Sequence, residues 1–288
     1  AVDEATVRQN QWYTDCRVCP RLCRVDRRSG DRGVCGETST VRFAAAQLHF
    51  GEEPVLVGRG GSGTIFLSSC NLKCVFCQNA DISHAGIGRQ VSLSELADIM
   101  LRLEDRGAEN INLVSPTHFA PSLADAVETA RSRGLELPIV YNTGGYDSVE
   151  MLGELEGLID IYMPDMKFAD PDSGKRYIGV SDYPQRNREA VREMHRQVGS
   201  LVTDGRGVAT RGLMIRHLVM PKGVAEGRAI VDFLVDEIAV DTYINIMGQY
   251  RPEYRAWEFP EIARRPLRGD VEEVVSHART RDMTRIES

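Results

Sequence analysis

The chain has 288 residues, and its 35 basic and 42 acidic side chains give a formal net charge of −7. A negative chain without a dominant basic face is not expected to bind nucleic acid broadly. The sequence has no apolar run near the roughly 20 residues of a membrane span, and residues 1–28 lack the apolar core of a signal peptide. We therefore expect a soluble, cytoplasmic protein with neither a nucleic-acid nor a membrane partner.

The first feature in chain order is a leader rich in arginine and glycine. Its four cysteines have the spacing C-x2-C-x3-C-x11-C, and they are Cys16, Cys19, Cys23 and Cys35. Four thiolates this close form a closed site, and bound metal would substitute for the hydrophobic core that such a segment cannot build. A structural zinc ion and an auxiliary iron–sulfur cluster fit this spacing equally, and a metal-free reduced leader is the third alternative.

The leader also has an excess of arginine over acidic residues. The arginines are Arg17, Arg21, Arg24, Arg27, Arg28, Arg32 and Arg42. They could form a solvated face, compensate the charge of bound thiolates, or dock an acidic redox partner. The odd total of seven cysteines, grouped at metal-ligand spacing, fits thiolates that bind metal in a reducing compartment.

Three further cysteines follow an apolar strand predicted over residues 64–68. Cys70, Cys74 and Cys77 have the spacing C-x3-C-x2-C. Three thiolates can hold three corners of a 4Fe–4S cluster, whereas an ordinary electron carrier ligates all four irons with cysteine. One iron would remain open to a substrate or cofactor. The alternative is a closed zinc or iron site completed by His84, although His84 is not at zinc-finger spacing from the three cysteines.

The rest of the chain alternates strand and helix patterns. We predict strands at 64–68, 110–114, 137–141, 159–163, 213–219 and 243–247, and helices at 92–105, 121–131, 147–155, 185–198 and 225–235. Such units imply parallel pairing with right-handed crossovers. The predicted fold class is therefore α/β, a partial (β/α)6 TIM-type barrel with a small cysteine-rich N-terminal segment. We divide it into a metal-binding leader (1–57), the barrel (58–252) and a C-terminal extension (253–288), whose end we expect to be amphipathic or partly disordered.

Polar side chains collect at the predicted carboxyl ends of these strands. They are Cys70, His118, Asn142, Thr143, Asp165, Lys167, Arg216 and His217. In barrels of this type the chemistry lies at the carboxyl ends of the strands, where the loops converge. We therefore expect these residues to share one site.

The cysteine triad, with Phe76 directly before its last cysteine, resembles the radical S-adenosylmethionine (SAM) superfamily. The chain is similar to the branch related to pyruvate formate-lyase activating enzymes, and the similarity extends over the leader and segments 63–83, 142–146, 162–167, 216–221 and 245–250. The resemblance implies that the SAM amino and carboxylate groups chelate the open iron. An electron then cleaves SAM to methionine and a 5′-deoxyadenosyl radical, which abstracts hydrogen from the substrate.

The same resemblance implies a protein or peptide substrate and a low-potential electron donor such as a flavodoxin or ferredoxin. Radical chemistry on a small metabolite is one alternative. A non-catalytic iron–sulfur or zinc protein is another, against which the open iron argues.

The resemblance also assigns roles to individual residues. Phe76 matches an aromatic residue beside the adenine, with ordinary core packing as the alternative. Asp165 and Lys167 match a D-x-K element, in which the acid helps to hold a monovalent cation near the SAM carboxylate. Thr143 matches a polar position on the preceding strand.

The chain departs from the family pattern at two places. Asn142 replaces an acid of the prototypical activating enzyme, and its amide oxygen can coordinate a cation but brings no charge. A Gly-Gly-Glu element that contacts the SAM amino group is replaced by residues 115–118, where Thr117 or His118 would have to substitute. Arg216 and His217 are the next candidates for SAM contacts.

Overall fold

A computed structural model describes residues 4–288, so residues 1–3 of the predicted leader lie outside the described residues. The strands are β1 (Arg42–His49), β2 (Ser62–Leu67), β3 (Arg89–Gln90), β4 (Ile111–Val114), β5 (Ile139–Thr143), β6 (Ile161–Pro164), β7 (Val202–Thr203), β8 (Ala209–Leu218), β9 (Tyr243–Met247) and β10 (Ile286–Glu287). The helices are α1 (Glu4–Tyr13), α2 (Pro54–Val57), α3 (Ala80–Ser83), α4 (Leu93–Asp105), α5 (Ala120–Ser132), α6 (Val149–Glu154), α7 (Pro171–Ile178), α8 (Tyr183–Val198), α9 (Gly227–Phe233) and α10 (Arg268–Thr280).

The strands form one mixed sheet in the order β10-β9-β8-β6-β5-β4-β2-β1-β3, with β7 paired to β8. The six strands β2, β4, β5, β6, β8 and β9 pair in parallel and correspond to the six predicted strands. The sheet does not close, because antiparallel β1 and β3 extend one side and β10 extends the other. The predicted α/β fold with a partial barrel is confirmed.

The alternation of side chains along β5 shows how the sheet positions a site. Ile139 and Tyr141 pack in the large apolar cluster that also contains the buried faces of α4 and α5. Val140 faces the other way and packs with Ile161 in a second cluster. Successive strand residues point to opposite faces, so Asn142 lies on the same face as Val140, at the carboxyl end of the strand. The polar groups at the carboxyl ends of the strands therefore lie next to apolar side chains on the same face of the sheet.

Both ends of the chain contribute more regular structure than we predicted. β1 lies within the predicted leader and joins the sheet through β2, while α10 and β10 occupy much of the predicted C-terminal extension. The domain limits given above stay a prediction. Within residues 4–288, no helix combines the length and apolar character needed to cross a bilayer.

Candidate active site

A cavity of about 300 Å³ lies at the carboxyl ends of the parallel strands. The predicted residues among its lining are Cys70, Cys74, Phe76, Cys77, Asn142, Thr143, Asp165, Lys167 and Arg216. They come from the loop after β2 and from the ends of β5, β6 and β8. The structure thus brings most of the predicted site residues to one place, as expected for a barrel of parallel strands.

The loop after β2 turns sharply before it presents the three thiols. Ser69 has a φ of 69°, in the left-handed region that L-residues rarely adopt, and its N–H donates to the Ile82 carbonyl. The Leu72 N–H points to the Cys70 sulfur at 3.4 Å, and the Cys77 sulfur lies 2.9 Å from the Ser83 hydroxyl. Hydrogen-bond donors aimed at sulfur suit thiolates that bind iron.

The surroundings of the triad fit a cluster held by three cysteines. All three thiols line the same cavity, and Leu72, Val75 and Phe76 beside them are at least nine-tenths buried, which shields the site from water. Among residues 4–288, no three His, Cys, Asp or Glu side chains are arranged to hold a single metal ion. A four-iron cluster has a separate iron for each thiolate, so it does not require that arrangement.

His84, the alternative fourth ligand, has other partners. Its Nε2 lies 3.1 Å from the Cys74 carbonyl oxygen, and its ring stacks on Tyr254 with the ring centroids 4.5 Å apart. His84 lines the cavity but supports the fold of the triad loop.

Asp165 lies between two cations at the end of β6. Its carboxylate accepts from Lys167 Nζ at 2.6 Å and from Arg216 Nε at 2.9 Å. Burial alone would raise the pKa of Asp165, but attraction to Arg216 and Lys167 outweighs it and holds that pKa below its ordinary value. Since two cations accompany one anion, the three side chains together carry a net positive charge.

Arg216 also reaches Asn142 on β5. Its Nη2 donates to Asn142 Oδ1 at 2.6 Å, so the guanidinium lies between the amide oxygen of Asn142 and the carboxylate of Asp165. The Nη1 atom of Arg216 lies 3.9 Å from the carboxylate of Glu52. Burial raises the pKa of Glu52 to about 7, against the attraction of Arg216. Sequence reasoning missed Glu52, because it lies before the first barrel strand.

Thr143 lines the cavity, but its hydroxyl is already engaged. It donates to Asp147 at 2.7 Å and lies 3.0 Å from the Thr117 hydroxyl. Asp147 is buried and also accepts from Thr117 at 2.7 Å and from Tyr141 at 3.1 Å. Burial raises the pKa of Asp147 and the three hydroxyl donors oppose that rise. This network fixes the ends of β4 and β5 relative to one another.

The glycine pair after Thr143 allows the next loop to approach closely. Gly145 has a φ of 77°, and a Cβ on it would lie 2.3 Å from the Asp165 carbonyl oxygen and 2.2 Å from Asn187 Nδ2. Only glycine fits there without displacing the backbone that carries Asp165. The spacing Asn-Thr-Gly-Gly thus serves the close packing of β5 against β6.

Two predicted histidines are not brought into the cavity. His118 is buried, with Nε2 2.8 Å from the Ser68 carbonyl oxygen, and burial lowers its pKa to about 3. His217 lies next to Arg216 on β8 and therefore points to the opposite face, where its Nδ1 lies 2.8 Å from the Met166 carbonyl oxygen. His217 lines a separate cavity of about 280 Å³ beside α9 and α10.

Phe76 and Ser115 complete the wall of the cavity. Phe76 is packed edge-on against Phe168 and Tyr250, and it also faces the cavity, so both interpretations of this residue are compatible with the structure. Ser115 lines the cavity with a φ of 57°, and its N–H donates to the Asn142 carbonyl. Ser115 belongs to segment 115–118, which the sequence places at the carboxyl end of β4.

The leader lies against the triad loop. Arg21 Nε donates to the Asn71 carbonyl at 2.9 Å. Asn71 directly follows Cys70, so the two groups of cysteines are neighbours in the fold.

Comparisons with known proteins agree with this geometry. A family model described as the radical SAM superfamily matches residues 64–207. An uncharacterized protein of Methanocaldococcus jannaschii is 33% identical over 276 residues, which cover 92% of this chain and 75% of that protein. The crystal structure of HydG, a maturase of the FeFe-hydrogenase, aligns over 74% of this chain with a TM-score of 0.51 and 14% identity.

A second HydG structure, from Carboxydothermus hydrogenoformans, aligns over 76% of this chain with a TM-score of 0.48 and 13% identity. The chain spans about half the length of these two solved proteins, 47% and 50% respectively. At such low identity, the likeness to the first HydG structure shows a shared fold.

Proposed function

Because the chain belongs to the radical SAM superfamily, which implies a 4Fe–4S cluster and SAM, we propose that it acts as an activase-like enzyme that removes a hydrogen atom from a protein or peptide. The observation that carries this proposal is the convergence of the three triad thiols and the Asp165 group on one cavity. When bound, the cluster and SAM supply a reductive cleavage that yields methionine and a 5′-deoxyadenosyl radical. Cys70, Cys74 and Cys77 would hold the cluster.

The side chains around Asp165 suit the carboxylate of SAM. Lys167 and Arg216 outnumber the carboxylate of Asp165, and Glu52, 3.9 Å from Arg216, is only partly charged near neutral pH because its pKa is about 7. The two cations lie in a largely buried site, where attraction to an anion is stronger than in water. Asp165 holds both cations in place and leaves them a net positive charge. Leu72 and Phe76 keep water away from the thiols.

The cavity size supports a large substrate that approaches from outside. About 300 Å³ is at the lower end of the roughly 300–1,000 Å³ typical of pockets for drug-sized ligands. SAM would fill most of such a space, so the substrate has to reach its mouth, which an extended polypeptide can do. The proposal includes a low-potential donor such as a flavodoxin or ferredoxin and a reducing, cytoplasmic compartment.

The test follows deuterium from candidate substrates into 5′-deoxyadenosine. Extract from cells grown in deuterated medium is separated by size into proteins and small molecules, and each fraction is incubated with reconstituted enzyme, SAM and dithionite. We expect deuterium in 5′-deoxyadenosine from the protein fraction, and none with the Cys74→Ala variant. Label from small molecules alone would assign a metabolite substrate. Absence of 5′-deoxyadenosine in every reaction would favour a non-catalytic iron–sulfur or zinc protein.

We further propose that Arg216 takes the place of the monovalent cation that the family resemblance suggests. Its guanidinium is bonded to both Asp165 and Asn142, the two positions that would share such an ion. SAM affinity should therefore not depend on sodium or potassium. Arg216→Gln removes a cation proposed to face the SAM carboxylate. A charge-assisted hydrogen bond to that carboxylate is worth about 1.5–3 kcal/mol, so SAM affinity should fall roughly 10–100-fold.

Equilibrium dialysis of SAM in sodium, potassium or choline chloride at equal ionic strength measures how SAM affinity depends on the cation. In the Asn142→Asp variant this affinity should not depend on the cation, because the new acid would pair with Arg216. In the double variant Asn142→Asp/Arg216→Gln the affinity should depend on sodium or potassium. A response of the wild-type protein to sodium or potassium would contradict the role given to Arg216.

A further inference from the structure

The four leader cysteines lie close together in the fold. A Cβ on Gly33 would lie 3.4 Å from the Cys23 sulfur and 3.5 Å from the Cys35 sulfur, so the two sulfurs flank this glycine. The N–H of Arg24, next to Cys23, donates to the Cys16 carbonyl at 2.9 Å, and the Leu22 N–H donates to the Cys19 carbonyl at 3.1 Å. Cysteines that are separate in sequence are thus neighbours in space.

A backbone donor points at one of these sulfurs. The Val34 N–H donates to the Cys23 sulfur at 3.3 Å. N–H donors stabilise a thiolate more than a thiol. This pattern is the one expected around sulfur that carries negative charge.

The chain on both sides of Cys23 adopts backbone conformations that need support. Leu22 and Arg24, on either side of Cys23, have φ values of 44° and 59°, in the left-handed region that favours glycine. Such conformations persist where the surroundings over-determine them. Bonds from the loop sulfurs to a metal would supply that constraint.

Arg27 is a fully buried cation beside these thiols. It is 1% exposed, and its guanidinium donates to the Thr38 carbonyl at 2.6 Å and the His118 carbonyl at 2.7 Å. The guanidinium lies over the Tyr13 ring at 4.5 Å, and its Nη1 lies 3.9 Å from the Cys16 sulfur. Among residues 7–288, whose side chains the structure describes, no carboxylate forms an ion pair with it.

The charge of Arg27 requires a counter-ion. Burial of an unpaired charge is costly, and arginine cannot escape that cost by losing its proton. The Cys16 sulfur lies 3.9 Å from the Nη1 atom of this guanidinium. Four cysteine thiolates on an iron–sulfur cluster would leave a net negative charge beside it.

We propose that Cys16, Cys19, Cys23 and Cys35 bind a metal centre as four thiolates, and that Arg27 is its buried counter-cation. Within residues 4–288 no three cysteine side chains are arranged around a single ion, so the centre that fits these thiols is an iron–sulfur cluster, in which each thiolate has its own iron. The site is separate from the triad and does not rest on the function proposed above. Arg27 acts through the thiolates and is a positioning residue.

The same contacts tie this centre to the barrel. Arg27 donates to the His118 carbonyl in the turn after β4, and Arg21 donates to the Asn71 carbonyl in the triad loop. The metal centre therefore holds the leader against the loop that carries Cys70.

The first arm of the test counts metal in full-length protein whose triad is replaced by alanine, purified and reconstituted without oxygen. We expect about four irons with matching sulfide per chain. Elemental analysis together with absorption and Mössbauer spectra distinguishes such a cluster from a zinc ion. Folded protein that holds a zinc ion or no metal would overturn the proposal.

The second arm measures metal retention against a competing chelator in Arg27 variants. Loss of a group that supports metal ligands commonly lowers affinity about 10–100-fold, which we expect for Arg27→Met. Arg27→Lys keeps the charge and should retain most of the affinity, although it loses the fork of hydrogen bonds. Arg28→Met, at the exposed neighbouring position, is the matched control and should not change it.

If Arg27 acted through packing alone, the lysine and methionine variants would lose metal affinity equally. Equal loss of affinity in both, or no loss in either, would overturn the counter-cation role. If Arg27→Met does not fold, the lysine variant and the metal count of the triad-free protein still decide between the outcomes.

Discussion

Replacing Cys74 with alanine should abolish the cleavage of SAM while leaving the barrel folded. Two remaining thiolates do not hold a four-iron cluster in place, so about four irons per chain should be lost with it. Cys70→Ala and Cys77→Ala should have the same effect, because all three thiols line one cavity. The measurements are iron content, formation of 5′-deoxyadenosine from SAM and dithionite, and circular dichroism of the same samples.

Cys23→Ala is the matched control, since it removes a thiol of the leader and leaves the triad intact. It should retain the iron of the triad and a measurable cleavage of SAM. If the protein with all three triad cysteines replaced still formed 5′-deoxyadenosine, the assignment of the triad would be wrong.

The sequence predicted the barrel strands well, because strands buried on both faces are continuous apolar runs. The strand predicted over 243–247 has the bounds of β9. The strand predicted over 213–219 begins earlier in the structure, at Ala209, because its first residues pair with β7 in an antiparallel hairpin. That hairpin has two-residue β7 as its partner, too short to leave a periodic pattern.

The sequence also predicted the rim of the site, but not which face each side chain would take. Arg216 and His217 were grouped because they are adjacent, yet neighbours on a strand point to opposite faces. A shift of one residue in register reverses both, and a single sequence does not fix that register. His118 was expected at the rim, whereas the turn after β4 directs its ring to the Ser68 carbonyl.

Long-range partners were the least predictable part of the site. Asn142 was interpreted as a missing acid, but its oxygen accepts from Arg216, 74 residues later in the chain. Glu52 approaches the same arginine from a segment before the barrel. Such pairs depend on how strands and loops meet in space, and no local spacing records them.

The Asp165 carboxylate should be the most costly side chain of the site to remove without loss of a metal ligand. Asp165→Asn leaves Lys167 and Arg216 buried close together without their shared counter-charge. Breaking a buried ion pair by removing one partner commonly costs about 3–5 kcal/mol. The free energy of unfolding should fall by about that amount, and SAM should bind more weakly because the two cations are no longer held in place. Denaturant titration and equilibrium dialysis measure the two effects.

Asp98→Asn provides the matched control, because Asp98 pairs with Arg133 at the surface, where both side chains are about 40% exposed. Exposed ion pairs contribute about 0–1 kcal/mol, so the control should lose little stability. A second variant, Asp165→Asn/Arg216→Gln, removes one of the two uncompensated cations. It should recover part of the stability lost in Asp165→Asn, since fewer like charges remain buried.

The pH dependence separates this charge effect from a change in packing. The folded state holds the pKa of Asp165 below its ordinary value of 3.8, so the unfolded state takes up a proton first as the pH falls. The stabilisation by Asp165 is therefore complete above about pH 4 and is lost as the pH falls through the lower, folded-state pKa. The difference in unfolding free energy between wild type and Asp165→Asn should be constant near neutral pH and should shrink in acid. A difference that stayed the same down to pH values below the folded-state pKa would mean that Asp165 acts through its shape and hydrogen bonds, and that the two cations do not depend on its charge.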